Sequence, residues 1–294
     1  TTAIDSALIN YNVIAADNTS TVNLVMGIIL AILVAMILLG GIKRIGQVTE
    51  KLVPFMALFY IILAIGVVII NWKNVPGVFG SIVSGAFNPA SVTGGAVGSF
   101  FMSMKKGVSR GIFSNEAGLG SAPIAAAAAQ TKEPVRQGLV SMTGTFIDTI
   151  VICTMTGLSI VLTGAWQVEG LEGVQVTTYA FQHGLPIHPQ VASFVLMVCL
   201  VFFAFTTILG WDYYSERCLE YLTKGNRKTI LAYRWLYIFA VFIGPYMTVS
   251  AVWTIADIFN GLMAIPNMIA MFALSGVVVK ETKSFFKAQK HKRD

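Results

Sequence analysis

A chain of 294 residues in which 55% are hydrophobic, only 12% are charged and the mean hydropathy is +0.74 lies outside the balance typical of soluble domains. The composition excludes a soluble domain and predicts an all-α, polytopic membrane protein. The net charge of +6 raises the question of a nucleic-acid partner, which depends on where the positive charges lie.

The start of the sequence and its cysteines give two further expectations. The sequence begins at Thr1 and not at an initiator Met, so we expect the natural N-terminus to lie outside it. Its first residues do not show the charged stretch followed by an apolar stretch that is typical of a signal peptide, so we expect no signal peptide. The three cysteines are an odd number without metal-ligand spacing. They predict neither a disulfide framework nor a metal centre.

Apolar runs of about 20 residues, the length that crosses a bilayer as a helix, recur along the chain. Residues 75–98 are rich in Gly, Pro, Ser and Asn and predict a loop or a short surface helix, and 167–189 predict an acidic loop. Residues 1–294 are expected to form a single transmembrane domain, with a short turn near Asp257 and a basic cytoplasmic tail. The predicted elements are spans at about 21–41, 52–71, 97–129 (broken), 138–166, 190–211, 229–253 and 255–279, and the tail at 280–294.

The span at 97–129 is predicted to be broken. Its stretch Gly107–Ala129, GVSRGIFSNEAGLGSAPIAAAAA, places glycines, a proline, an asparagine and a glutamate between apolar runs. Irregular backbone at membrane depth survives only inside protein or along a watery cavity. We expect the helix to unwind between Gly111 and Gly120, where freed N–H and C=O groups can meet a ligand, as in a transporter.

The loop charges predict the orientation in the membrane. If the tail is cytoplasmic and the spans alternate, nearly all loop Lys and Arg residues fall on the cytoplasmic side, and Lys73 falls outside. This distribution requires the broken span to cross the membrane once. The basic balance then reflects orientation and attraction to anionic lipid, so we expect a multi-pass plasma-membrane protein with a cytoplasmic C-terminus and no nucleic-acid partner.

Three charged residues within the spans are candidate functional residues, since an intramembrane charge is costly. Glu116 could brace the break by accepting N–H groups from Gly118 to Gly120, pair with Arg110 or take up a proton, and we favour the brace. Arg110 is expected to be an outer gate partner. Asp148 lies near the middle of its span and needs a partner; a packing hydrogen bond and a proton or ion relay are both open.

Hydroxyl and amide side chains complete the candidates from the residues themselves. Ser114 and Asn115 can hydrogen-bond a small zwitterion at the break. Thr206 and Thr207 lie mid-span, where such hydroxyls usually bond to the carbonyl one turn back.

Three motifs carry a resemblance to a known family. GVSRGIFSNEAGLGSAP with its alanine run, FIDTIVICTMTGL and ILGWDYYSERCLEYL resemble the alanine or glycine:cation symporter family over essentially the whole chain. The resemblance implies sodium-coupled symport of small amino acids on a LeuT-like inverted repeat. The seven spans would correspond to the fourth to tenth core helices, so roughly the first three core helices would be lacking.

The resemblance also implies roles for individual residues. Phe113 would limit the size of the substrate side chain. Sodium, the coupling ion and the only ligand implied besides the substrate, would be bound by the hydroxyls of Thr206 and Thr207 and the carbonyl of Phe203, oxygen ligands that suit a hard cation. Departures from the family at Ala126 and Ser215 imply altered inner gating. The substrate-binding residues implied are Gly111, Ile112, Phe113, Ser114, Asn115 and Thr206.

Other functions remain to be weighed against a sodium-coupled symporter. A proton-coupled amino-acid transporter is the main alternative. A membrane-embedded enzyme is disfavoured because no nucleophile, base or metal-ligand set recurs among the spans. A channel is disfavoured because only one break is present and no pore pattern repeats. Alanine versus glycine, the coupling ion and the oligomeric state stay open.

Overall fold

The computed structural model describes residues 1–10, 20–87 and 96–290, which are almost entirely helical and contain no β-strand. The all-α prediction is confirmed for this part of the chain. In chain order the α-helices are α1 (Thr2–Asn10), α2 (Ser20–Leu38), α3 (Gly41–Ile70), α4 (Val75–Phe87), α5 (Ala96–Asn115), α6 (Ala122–Ala126), α7 (Pro134–Phe146), α8 (Thr154–Leu162), α9 (Val174–Gly184), α10 (Pro189–Leu222), α11 (Arg227–Ile243) and α12 (Val249–Lys290).

Six helical stretches of the described residues are long and apolar enough to cross a membrane. Each overlaps one of the predicted uninterrupted spans, and the predicted broken span corresponds to α5 and α6. Many large apolar side chains on these helices are exposed, as helices that contact lipid require. The six stretches are Ser20–Leu38, Arg44–Ile70, Pro134–Leu162, Pro189–Leu222, Arg227–Tyr246 and Val249–Lys290.

The turn between the last two spans lies earlier than the sequence predicts. Asp257 is inside α12, and the interruption falls at the 3-10 turn Gly244–Tyr246. Pro245 explains its position, because proline lacks the N–H that a continuing helix needs and its ring clashes with the preceding turn. The shift gives α12 an unbroken face that includes Asp257, and the helix continues through the predicted tail to Lys290.

Helix α10 extends about three turns beyond the predicted end of its span near Trp211. The added turns carry Glu216, Arg217 and Glu220, whose guanidinium and carboxylate groups pair along the helix. Such pairs at neighbouring positions stabilise a helix that leaves the apolar region. The predicted acidic loop also contains structure, namely α9.

The described chain divides into two compact units. Unit one contains Thr1–Phe87 and Thr154–Met247, and unit two contains Asn88–Cys153 and Thr248–Asp294. In unit one, α10 packs against α1, α2, α3, α9 and α11. Its Phe205 and Leu209, four residues apart on one face, are buried in the main apolar cluster. The other buried members of that cluster are Val34, Leu38 and Ile238.

Close packing at the end of α9 gives a stability prediction. An alanine Cβ at Gly184 would lie 2.6 Å from Val67 Cγ1 and 3.0 Å from Thr163 Cγ2. We expect Gly184→Ala to destabilise the protein by about 1–3 kcal/mol, because the helices must separate. Thermal unfolding in detergent measures the loss. The control is Gly157→Ala in α8, where nothing lies within 4 Å of the added Cβ; an equal effect of both substitutions would contradict the close contact.

Candidate functional site

Helix α5 continues through Asn115 before its backbone unwinds. Gly111 is helical, and its carbonyl accepts a hydrogen bond of 3.2 Å from Asn115 Nδ2. The chain then takes left-handed conformations at Glu116 (φ 52°), Gly118 (φ 77°) and Gly120 (φ 83°). Glycine adopts these angles without a steric penalty, which places the break at the later glycines. The break thus lies within the predicted range Gly111 to Gly120 and occupies its second half, because the first half is helical.

The break in unit two is held by side chains on both of its sides. The Glu116 carboxylate accepts a hydrogen bond of 2.7 Å from the hydroxyl of Ser121, which is 1% exposed. From α12, Asn267 Nδ2 donates to the Gly118 carbonyl at 2.9 Å. A Cβ at Gly120 would lie 3.0 Å from Asn267 Oδ1, and the left-handed φ of 83° there disfavours any residue with a side chain. The described donor to Glu116 is therefore the Ser121 hydroxyl, and the predicted hydrogen bonds from the N–H groups of Gly118 to Gly120 do not occur among the described residues. The role of Glu116 as a brace stays a prediction.

Arg110 pairs with Asp257 of α12 and makes no ion pair with Glu116 among the described residues. Its two terminal nitrogens lie 3.2 Å and 3.4 Å from the carboxylate oxygens, and Ser109 Oγ donates to the same carboxylate at 2.9 Å. The guanidinium carbon also lies 3.7 Å from the centre of the Trp253 ring. Because both partners are partly exposed, the pair contributes only about 1 kcal/mol or less to stability.

Phe113 lies on the same face of α5 and meets Trp253 edge to face, with ring centroids 5.1 Å apart. Sequence reasoning missed both partners on α12, because it placed a turn at Asp257. Trp253 and Asp257 are four residues apart, and so one turn apart, once α12 is continuous. Arg110 and Phe113 lie three residues apart, and so on one face of α5. This spacing was the available signal that a carboxylate and an aromatic ring would face them from a neighbouring helix.

Asp148 lies in a π-helical segment, Ile147–Cys153, which follows α7. Its carboxylate accepts a hydrogen bond of 2.6 Å from Ser114 Oγ, and Thr149 Oγ1 donates to Asn115 Oδ1 at 2.8 Å. Two consecutive residues of the π segment therefore hold the last two helical residues before the break. π segments are rare in proteins and occur frequently at functional sites. The sequence did not predict the π segment or the Ser114 partner.

A cavity of about 370 Å³ lies between α5 and α12 in unit two. Its wall is mainly apolar, with a few polar groups that could orient a ligand, an arrangement common in small-molecule sites. Of the residues predicted to bind substrate, Ile112 lines this cavity. The lining residues are Met104, Lys105, Val108, Ser109, Ile112, Asp257, Asn260, Gly261 and Ala264.

The hydroxyls implied for sodium lie on α10 in unit one. Thr206 Oγ1 donates to the carbonyls of Phe202 (3.0 Å) and Phe203 (3.1 Å), and Thr207 Oγ1 donates to the Phe203 carbonyl at 2.8 Å. Thr206 is buried and Thr207 is exposed. The bonds one turn back follow the ordinary pattern of such hydroxyls. They also bring the two hydroxyl oxygens to the Phe203 carbonyl oxygen, and these are the three oxygens that the family resemblance implies for sodium.

The end of α10 carries an ionic cluster that the sequence analysis did not identify. Glu216 accepts two hydrogen bonds from Arg234 of α11, at 2.7 Å from Nε and 2.8 Å from Nη2, and one of 3.1 Å from Arg217. Asp212, one turn earlier, is 1% exposed, and neither of its carboxylate oxygens has a hydrogen-bond partner among the described residues. Asp212, Glu216 and Glu220 are spaced four residues apart in the sequence, and this spacing was the available signal for carboxylates on one helix face.

Comparison with known proteins gives a consistent set of matches. The model of the sodium:alanine symporter family matches residues 3–294. An uncharacterized transporter of Haemophilus influenzae is 52% identical over 268 residues, which cover 91% of this chain and 58% of the relative. The sodium/alanine symporter AgcS of Methanococcus maripaludis is 47% identical over 281 residues, or 94% and 60% of the two chains.

A third relative is less similar in sequence. The sodium/proton-dependent alanine carrier protein of Bacillus sp. PS3 is 34% identical over 284 residues, which cover 92% of this chain and 63% of that protein. The chain therefore spans about three fifths of the length of these curated relatives.

Proposed function

The chain belongs to the sodium:alanine symporter family, and from this premise we propose that it forms part of a secondary active transporter that carries alanine or glycine inward together with sodium. The observation that carries the proposal is the family match over residues 3–294. The break after α5 supports it, because transporters of this kind bind substrate where a helix is discontinuous. The cavity of about 370 Å³ lies along α5 before the break and ends at Ile112, one turn from Glu116.

In unit two, the substrate binds where α5 ends. Gly111, Ile112, Ser114 and Asn115 provide backbone and side-chain groups for a small zwitterion. Asp148 and Thr149 hold Ser114 and Asn115 at the positions from which they can act. The Phe113 ring, fixed edge-on by Trp253, limits the size of the substrate side chain. Glu116 braces the break and has no direct part in binding.

In unit one, Thr206 and Thr207 with the Phe203 carbonyl bind the coupling sodium. The carbonyl already accepts both hydroxyls. Rotation of each hydroxyl turns an oxygen lone pair toward an ion, and such a hard cation prefers oxygen ligands. The assignment of Thr206 to the substrate as well rests on the family resemblance alone.

Orientation and gating complete the proposal. The chain crosses the plasma membrane at seven segments, with the C-terminus in the cytoplasm and the basic residues near anionic lipid. Arg110 is an outer gate partner, paired with Asp257. Its modest pairing energy suits a contact that must open and close in every cycle. The protein performs transport and no covalent chemistry.

Uptake of labelled alanine into proteoliposomes that contain the intact protein tests this function. We expect an inward sodium gradient to drive uptake, glycine to compete and leucine not to compete. Liposomes without protein and liposomes with equal sodium on both sides are the controls. Uptake that follows a proton gradient and ignores sodium would favour the proton-coupled alternative, and no uptake under either gradient would contradict a transporter.

A further inference from the structure

Asp212 is the buried charge that the proposed function does not use. Its residue is 1% exposed, and both carboxylate oxygens are buried without a hydrogen-bond partner among the described residues. An ionised carboxylate in this position has lost its hydration without receiving any compensating donor, which costs several kcal/mol. A buried group in this situation is neutralised by taking up a proton or by binding a cation.

Asp212 is the inner member of a row of three carboxylates on α10. Asp212, Glu216 and Glu220 are four residues apart, so they follow one helix face at steps of about 6 Å. Exposure rises along the row, from 1% for Asp212 to 9% for the Glu216 side chain and 40% for the Glu220 side chain. The row therefore connects a buried group to water at the end of the helix.

The two arginine side chains near this row of carboxylates pair with its two outer members, Glu216 and Glu220. Arg217 pairs with both Glu216 and Glu220, and Arg234 forms a two-point contact with Glu216. These charge-assisted contacts keep Glu216 ionised. No ion pair to Asp212 occurs among the described residues. A proton that reaches the row is therefore bound most favourably at Asp212.

The groups that act on Asp212 come from its own helix and from α11. Glu216 repels its negative charge and Arg234 of α11 attracts it from a distance, while Tyr233 and Tyr237 lie within electrostatic range on α11. The hydroxyls of Tyr233 and Tyr237 donate to other acceptors on α10, Ser215 and Ile208. The other helices that pack against α10 are α1, α2, α3 and α9. The described part of α2 has no ionisable side chain, and those described on α1, α3 and α9 are exposed or interact with groups other than Asp212. These side chains are Asp5, Arg44, Glu50, Lys51, Tyr60, Tyr179 and His183.

We propose that Asp212 is a proton-binding site, reached from water along the face of Glu220 and Glu216, and that its neutral form is the transport-competent one. One proton from water forms an O–H bond on the carboxylate, and its release restores the carboxylate. The neutral acid removes repulsion with Glu216 at the contact between α10 and α11. A proton needs no further ligands, whereas the described residues offer no cluster of His, Cys, Asp or Glu that could hold a metal ion.

Infrared difference spectroscopy tests the site independently of transport. The wild-type protein minus the Asp212→Asn variant, at about pH 5, the acid end of the range over which uptake should fall, should show the carbonyl band of a protonated carboxylic acid, with the shift expected in heavy water. Glu50→Gln is the matched control, because Glu50 is an exposed carboxylate on α3 and its removal should leave the acid band unchanged. A wild-type spectrum in which Asp212→Asn removes no such band would overturn the proposal.

The link to transport rests on the proposed function and needs a second measurement. Alanine uptake under a fixed sodium gradient should fall as the pH rises from about 5 to about 8, by up to about tenfold for each pH unit. Asp212→Asn should keep the low-pH rate throughout, and Glu50→Gln should follow the wild type. A variant that falls like the wild type overturns the link. No uptake by the wild type at any pH refutes the proposed function and leaves the infrared result to decide the proton site.

Discussion

Replacing Thr206 and Thr207 together by valine is expected to abolish sodium-driven alanine uptake. Valine keeps the branched shape of threonine and replaces each hydroxyl by a methyl group of similar size, so the shape of the side chain changes little. A bond between a neutral group and a charged one contributes about 1.5–3 kcal/mol. Loss of two such ligands should weaken sodium binding by about 10² to 10⁴-fold, since 1.4 kcal/mol corresponds to a factor of ten.

The sodium dependence of uptake, measured at sodium concentrations up to the highest that the liposomes tolerate, checks this expectation. The control is Thr163→Val, which removes a hydroxyl with the same kind of bond, 2.8 Å to the Ser159 carbonyl one turn back. If the hydroxyls of Thr206 and Thr207 served only their own backbone bonds, both variants would transport with unchanged sodium dependence. That result would contradict the sodium site.

The helices could be predicted from the sequence where a long apolar run is enough to identify a membrane span. Length and hydrophobicity located six of the helical stretches, because a spanning helix satisfies its own backbone wherever its side chains are apolar. Their ends were less accurate. In the sequence Trp211 indicates the membrane interface and the end of the span, but α10 continues to Leu222. The stretch after Trp211 is polar enough to predict a loop, whereas ion pairs stabilise it as helix.

The site could be predicted only in part, for a related reason. Glycines and a proline marked the broken segment, because the backbone angles of a break favour glycine. The partners of Ser114, Asn115 and Arg110 could not be found, since they lie 34 and 147 residues away in the chain. Local pattern contains no information on which faces of two distant helices meet.

The ionic cluster on α10 and α11 leads to the largest expected loss of stability. Arg234→Met should destabilise the protein by about 3–5 kcal/mol, the usual effect of removing one partner of a buried ion pair. Only 9% of the Glu216 side chain and 21% of the Arg234 side chain are exposed. Without the guanidinium, Glu216 keeps only Arg217 and lies one turn from the unpaired Asp212. Chemical and thermal unfolding in detergent measure the loss.

The matched control is Arg217→Met, which makes the same substitution where 37% of the arginine side chain is exposed. We expect it to cost about 1 kcal/mol or less, because water replaces an exposed partner. Replacing both members of the buried pair, by Arg234→Met with Glu216→Leu, should recover most of the loss, since no uncompensated charge of the pair remains. A double variant as unstable as Arg234→Met alone would show that packing of the arginine stem, rather than its charge, stabilises the contact of α10 with α11.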